Sequence, residues 1–254
     1  MDLAHGVLLA GASFAAGAIN AAVGSGTLLT YPVLLGLGLP PVLANGTNTL
    51  GVVPGAISGA WVYRDKLSLP RDVLKRLGLL MAGFGVVGAL LVVLLPDRVF
   101  TMVVPWLILA ACAVILLQPV ILRIVGKHNG GQLVERHSGT LVTVVFTAIG
   151  IYSGYFGAAV GVALLAGLLS LVVFDVQQAN AAKNVLAGVG NGAAALVFIV
   201  FGKVVWIPAL IMMVMATIGG AVGGGVARRL PAPLLRAVII AVGLYAAAMA
   251  FAQG

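Results

Sequence analysis

"GSGTLLTYPVLLGLGLPPVLANGTNTLGVVPG" (24–55) and "AVGVALLAGLLSLVVFDVQQANAAKNVLAGVG" (159–190) align without a gap at a constant offset of 135 residues. Gly26 falls on Gly161, Ala44 on Ala179, Asn45 on Asn180 and Thr49 on Asn184, while Lys183 takes the place of Asn48. Each copy reads as a glycine break, a short apolar segment, a polar turn, and a helix opening on Ala-Asn with two further polar residues. Self-similarity at a fixed spacing marks a duplicated structural unit. The chain therefore divides into a first repeat at 1–125, a linker at 126–138 and a second repeat at 139–254.

Outward from these copies the chain is apolar, with 62% hydrophobic and 8% charged residues and a mean hydropathy of +1.19. A soluble domain carries about 25% charged residues. The apolar runs are continuous rather than alternating, which excludes a transmembrane β-barrel. Ten helical segments are expected, near 4–23, 27–38, 43–63, 74–95, 99–124, 139–156, 159–174, 179–201, 204–227 and 234–252. The second and seventh are short, and segments of that length often enter a ~30 Å hydrocarbon core and return without crossing it. The expected fold is an all-α polytopic membrane protein with about 8–10 helical segments, some of them interrupted or re-entrant.

The net charge of +8 sits mainly in loops. Alternating the loops between two sides puts twelve Lys and Arg residues on one and only Arg98 and Lys203 on the other. Basic loops stay cytoplasmic, so both termini and Arg98 are expected outside and 126–138 inside; the nucleic-acid reading of a basic chain is set aside. A repeat with an odd number of crossings must reverse its orientation, so the two copies are expected to be inverted. Inverted repeats with interrupted helices characterise many secondary transporters, whose sites lie at the repeat interface. The N-terminus lacks the basic stretch of a cleaved signal peptide, and no P-loop or Rossmann fingerprint is present.

"GAINAAVGSGTLLTYPVLLGLGLPPVLANGTNT" (17–49) resembles the first signature region of the TauE/SafE family of sulfite exporters and toluene sulfonate uptake permeases. Gly17, Asn20, Gly24, Gly26, Pro32, Pro41, Ala44, Thr47 and Asn48 occupy the matching positions. "GIYSGYFGAAVGVALLAGLL" and "QQANAAKN" resemble the second signature, and the likeness covers nearly the whole chain. Thr27 stands where the family commonly has the second glycine of a pair. The resemblance implies a bacterial or archaeal inner-membrane permease for sulfite, thiosulfate or an organosulfonate.

The residue types fit that chemistry. A compact anion leaving water needs replacement donors, which helix N-termini, amides and hydroxyls supply. The candidate binding residues are Asn20, Gly24, Ser25, Gly26, Thr27, Thr47, Asn48, Thr49, Tyr155, Gly157, Gly161, Asn180, Lys183, Asn184 and Asn191. Thr47–Thr49 and Lys183–Asn184 are expected to open two long helices. The duller alternatives are that Asn45 and Asn180 cap their own helices, that Thr47 and Thr49 bond the preceding turn, and that Asn191 joins helices. A charged residue within a span marks a functional candidate, which favours an anion-site role for Lys183 over a snorkelling one. Gly219, Gly220, Gly223, Gly224 and Gly225 read as a helix-packing stripe, and Pro54, Pro105, Pro119 and Pro208 as kinks. Trp61, Tyr63, Trp106 and Trp206 read as interfacial belt residues.

The leading function is a secondary carrier for a small sulfur-containing anion; the alternatives are an anion channel and a carrier for another small organic anion. The His residues at 5, 128 and 137 lie near the termini or in the central loop, and no paired carboxylates or nucleophile–base set appears on any span, so an intramembrane enzyme is disfavoured. No cofactor, metal site or catalytic residue is expected. The expected partners are the anion and the lipid bilayer, with H+ or Na+ as candidate coupling ions and homo-oligomerisation left open.

Overall fold

The computed structural model describes residues 2–128, 139–173, 175–226 and 232–253, and its regular elements are all helical. Most of the expected linker, with His137, lies outside the described residues. The helices are α1 (Leu3–Ala22), α2 (Thr27–Gly36), α3 (Pro41–Val62), α4 (Arg71–Leu94) and α5 (Asp97–His128), then α6 (Gly139–Tyr155), α7 (Val160–Leu171), α8 (Val176–Val200), α9 (Trp206–Val226) and α10 (Ala232–Gln253). A short 3-10 turn, Arg64–Lys66, follows α3. Among the described residues, five stretches are long and apolar enough to cross a bilayer: Leu3–Ala22, Arg71–Leu94, Asp97–Val120, Val176–Val200 and Trp206–Gly223.

The packing is inverted relative to a soluble domain. Leu79, Val200, Ile207 and Leu196 are largely exposed, whereas Ser13, Thr30, Asn45, Thr47, Asn48, Ser153, Lys183 and Asn184 are buried. A continuous apolar exterior on this scale needs an apolar solvent. The chain is a multi-pass membrane protein.

Helix partners correspond across the two halves. α9 packs on α1 and α3, and α4 packs on α6 and α8. Adding 135 residues sends the pair α1/α9 onto α6/α4, α3/α9 onto α8/α4, and α2/α10 onto α7/α5. The pairs α3/α8 and α5/α10 map onto themselves and lie where the halves meet. Small residues make this close approach possible. A Cβ on Gly220 would lie 2.5 Å from the Gly55 carbonyl oxygen, and one on Gly85 would lie 2.9 Å from that of Gly190. Gly219 and Gly223 press against the Phe14 and Ala18 backbones in the same way, as the packing reading of that glycine stripe expects.

Each half contains a helical hairpin, α1–α2 and α6–α7. Gly26 presses on the Ala16 backbone, and Gly167 faces Ile149 and Phe146, so the short helix folds back along the longer one. With 10 and 12 residues, α2 and α7 reach roughly 15–18 Å, about half of a bilayer core. The turns use left-handed backbone at equivalent positions, Gly24 (φ +88°) and Ala159 (φ +55°).

The bundle's ends agree with the loop alternation. Lys203 pairs with Asp97 at 3.7 Å at one end of α4. At the other end the Arg76 guanidinium donates to the Gly139 carbonyl (2.8 Å) and to Thr143 Oγ1 (2.6 Å). Two sequence expectations change. Pro208 lies in the first turn of α9, where no helical hydrogen bond is lost, so it starts that helix instead of kinking it. Tyr63 is buried and so is no belt residue, and Trp106 stands well inside α5, edge-on to Phe251.

Candidate functional site

The starts of the two long polar helices differ from expectation. Pro40–Pro41 begins α3, because proline suits a position whose N–H has no helical partner. Asp175 begins α8, its carboxylate accepting from the Gln178 N–H at 2.7 Å. Asn45 and Asn180 are therefore each the fifth residue of their helix, and Asn48 and Lys183 each the eighth. The polar clusters do not open the helices, and neither asparagine caps its own helix. Both strong start signals precede the Ala-Asn pair by about one turn.

The asparagines instead satisfy carbonyls at the ends of neighbouring helices. Asn180 Nδ2 donates to the Ala21 carbonyl at 3.1 Å, at the end of α1. Lys183 Nζ donates to the Asn20 and Ala21 carbonyls at 2.8 and 3.3 Å, and Asn184 Nδ2 to that of Ala21 at 3.2 Å. In the other half Asn45 Nδ2 donates to the Tyr155 carbonyl at 3.0 Å, at the end of α6. The broken ends of α1 and α6 are thus closed by side chains from α8 and α3, which answers the orphaned carbonyls every helix end carries.

The two hairpin tips meet. The Gly161 N–H donates to the Gly24 carbonyl at 3.1 Å, and Thr27 Oγ1 donates to that of Gly157 at 3.4 Å. Asn20 Oδ1 accepts from the Gly26 N–H at 2.7 Å, capping the start of α2. Around these tips lies a cavity of about 20 Å³, room for about one water molecule. Asn20, Gly24 and Thr27 line it from the first hairpin, and Val160 and Gly161 from the second. Val52 and Ala56 of α3 and Lys183, Asn184, Ala187 and Asn191 of α8 complete the wall.

Seven of the fifteen expected residues therefore line one space: Asn20, Gly24, Thr27, Gly161, Lys183, Asn184 and Asn191. The others are placed elsewhere. Ser25 and Gly26 form the tip behind it, and Tyr155, Gly157 and Asn180 belong to the helix-end bonds just described. Thr30 Oγ1 donates to Asn48 Oδ1 at 2.5 Å, and Thr49 Oγ1 bonds the Asn45 carbonyl one turn back at 2.8 Å. Thr47 Oγ1 accepts from the Val205 N–H at 2.9 Å, capping the start of α9. Asn191 both lines the cavity and joins helices, its Oδ1 accepting from Ser153 Oγ at 3.1 Å. Thr30 and Ser153, which the sequence reading missed, are both fully buried; Thr30 follows the first break and Ser153 precedes the second, and a lone hydroxyl in an apolar run near a break was their only signal.

Thr47→Val is expected to destabilise the protein by about 1 kcal/mol, the usual value of a lost N-terminal cap. A thermal melt in detergent checks it, and an unchanged Tm would remove the capping role.

Lys183 dominates the electrostatics. Among the described residues it is the one buried charged side chain, 1% exposed. None of the described ion pairs involves it. Its ammonium rests on the partially negative carbonyl end of α1 and leaves a donor free for a solute in the cavity. A roomier groove of about 720 Å³ between α1 and α9 opens on the apolar exterior, with Asp2 the one charged residue lining it among the described residues. It lacks the donors an anion needs.

Comparison with known proteins points to membrane transporters. The profile of the sulfite exporter TauE/SafE family matches residues 9–250. A probable membrane transporter protein, ORF9, of Sinorhizobium sp. is 31% identical over 92% of this chain and 87% of its own length. A probable membrane transporter protein of Haemophilus influenzae is 28% identical over 95% of this chain and 92% of its own. The probable membrane transporter YfcA of Escherichia coli K12 is 28% identical over 89% and 82%. No solved structure matches. A bundle with polar residues turned inward, two hairpin tips meeting over a buried lysine, and a family profile spanning nearly every residue lead to one assignment: the chain belongs to the sulfite exporter TauE/SafE family.

Proposed function

We propose that this transporter is a secondary carrier for a small sulfur-containing oxyanion, such as sulfite, thiosulfate or an organosulfonate. The observation that carries the reading is the buried Lys183 ammonium, which shares one cavity with the Asn184 and Asn191 amides and the Thr27 hydroxyl. Hydrogen bonds to a charged group contribute about 1.5–3 kcal/mol each, and an oxyanion offers several acceptors. The cavity is smaller than any such anion, so the hairpin tips must part to admit one. Closure by the Gly24–Gly161 contact favours an alternating carrier over an open channel.

Alternation follows from the duplicated packing scheme if the two halves are inverted, each hairpin entering from its own face. Purified protein in liposomes is expected to show saturable uptake of sulfite, thiosulfate or a short alkylsulfonate, accelerated by the same anion on the far side. Flux without counterflow would favour a channel. Uptake of carboxylates with none of sulfur oxyanions would move the substrate class.

The basic loops support a reading with both termini outside the cytoplasm, and membership of the family supports the inner membrane of a bacterial or archaeal cell. A reporter active only outside the cytoplasm is expected to work when fused after Gly254 and to be silent when inserted in the 64–76 loop. The opposite pattern would reverse the orientation.

A further inference from the structure

The two halves treat their broken helix ends unequally. At the end of α1, four side-chain hydrogen bonds from α8 converge on two carbonyls, two of them from the Lys183 ammonium. At the end of α6, α3 supplies one, from Asn45. Both ends carry the same partial negative charge of a helix C-terminus, yet only one is answered by a cation. The residue equivalent to Lys183 is Asn48, whose Oδ1 is an acceptor already facing the Thr30 hydroxyl.

Beside the α6 end, Asn45 is fully buried and its Oδ1 has no protein donor; the equivalent Asn180 Oδ1 at the α1 end has none either, so what separates the two ends is the Lys183 ammonium, present at one and missing from the other. The Asn45 oxygen belongs to the amide whose nitrogen bonds the Tyr155 carbonyl, so two carbonyl-type oxygens lie within a few ångströms of each other. A buried acceptor without a donor is costly, and neutral oxygens at a half-helix C-terminus are the ligands transporters use for Na+. None of the described acidic residues lies within the helices that build the cavity, so a carboxylate proton relay is not at hand there.

We infer that the end of α6 binds a small monovalent cation, Na+, through Asn45 Oδ1 and the Tyr155 carbonyl, in the place that the Lys183 ammonium fills in the other half. The cation and the transported anion then offset each other's charge across the meeting hairpin tips, which makes Na+ a coupling ion. The coupling role rests on the carrier reading; the binding does not.

Purified protein without any sulfur anion is melted in NaCl and in KCl or choline chloride at equal ionic strength. Occupancy of the site is expected to raise Tm in Na+ by about 2–4 °C. Asn45→Leu is expected to abolish that difference. Asn45→Asp, which keeps the oxygens and adds charge, is expected to keep or enlarge it. Asn48→Lys brings an ammonium to the α6 end and is expected to make the Tm indifferent to Na+. Equal melting of the unmodified protein in all three salts means that the Asn45 oxygen is met by water alone and overturns the proposal, whatever the variants do. A Na+ response unchanged in both Asn45→Leu and Asn48→Lys moves the cation elsewhere and overturns it equally. A Na+ response that follows these substitutions, with no anion flux in liposomes, retains the site and rejects the carrier reading.

Discussion

Lys183→Gln is expected to abolish most anion transport while leaving the protein folded in the membrane. The side-chain amide still offers a donor to the Asn20 and Ala21 carbonyls, which otherwise lose the ammonium at 2.8 and 3.3 Å. The charge facing the cavity is gone. Losing a charge-assisted hydrogen bond of about 1.5–3 kcal/mol lowers sub-saturating occupancy roughly 10- to 100-fold. Lys183→Ala is expected to lose transport equally and stability as well, by about 1–3 kcal/mol for the Asn20 carbonyl left without its side-chain donor, whereas the Ala21 carbonyl keeps the Asn180 and Asn184 amides. Uptake by liposomes and Tm in detergent, measured on the same preparations, separate the two effects. Transport retained in Lys183→Gln would make the lysine a helix-end clamp and nothing more.

Gly24→Ala is expected to be the more damaging to the fold itself. Gly24 has φ +88°, and a Cβ there would lie 2.5 Å from the Gly161 Cα, with backbone on both sides and no flexible side chain to yield. Left-handed strain and overpacking each cost roughly 1–3 kcal/mol, so a loss of about 3 kcal/mol or more is expected. Gly38→Ala provides the comparison, because Gly38 shares the left-handed backbone (φ +83°) but has open space where the Cβ would go. Its loss should be confined to the strain. Equal Tm shifts for the two variants would mean that the hairpin tips do not press on one another.

Much of the fold was legible because it depends on local or periodic features. Apolar run length locates the helices, and the glycine breaks before Thr27 and Val160 mark where each half turns back. Helix starts were less legible. The reading fastened on Ala-Asn pairs, whereas Pro41 and Asp175 decide the matter, since a missing N–H and a capping carboxylate each relieve an orphaned helix terminus. The candidate site was legible as a set of residue types and not as a set of roles. Thr47 and Lys183 look alike as polar intruders in a span, yet one caps α9 and the other reaches the end of α1.

By itself the sequence determined that the chain lives in a bilayer, that similar segments recur at an offset of 135 residues, and that polar side chains gather at matching places in both segments. These are properties of composition and spacing, which a linear string carries in full. Only the tertiary structure decided which carbonyls those side chains meet. The partners lie 110–163 residues away in the chain. A hydrogen bond needs placement to a few tenths of an ångström, and that placement comes from the packing of α3 and α8 against the broken hairpins.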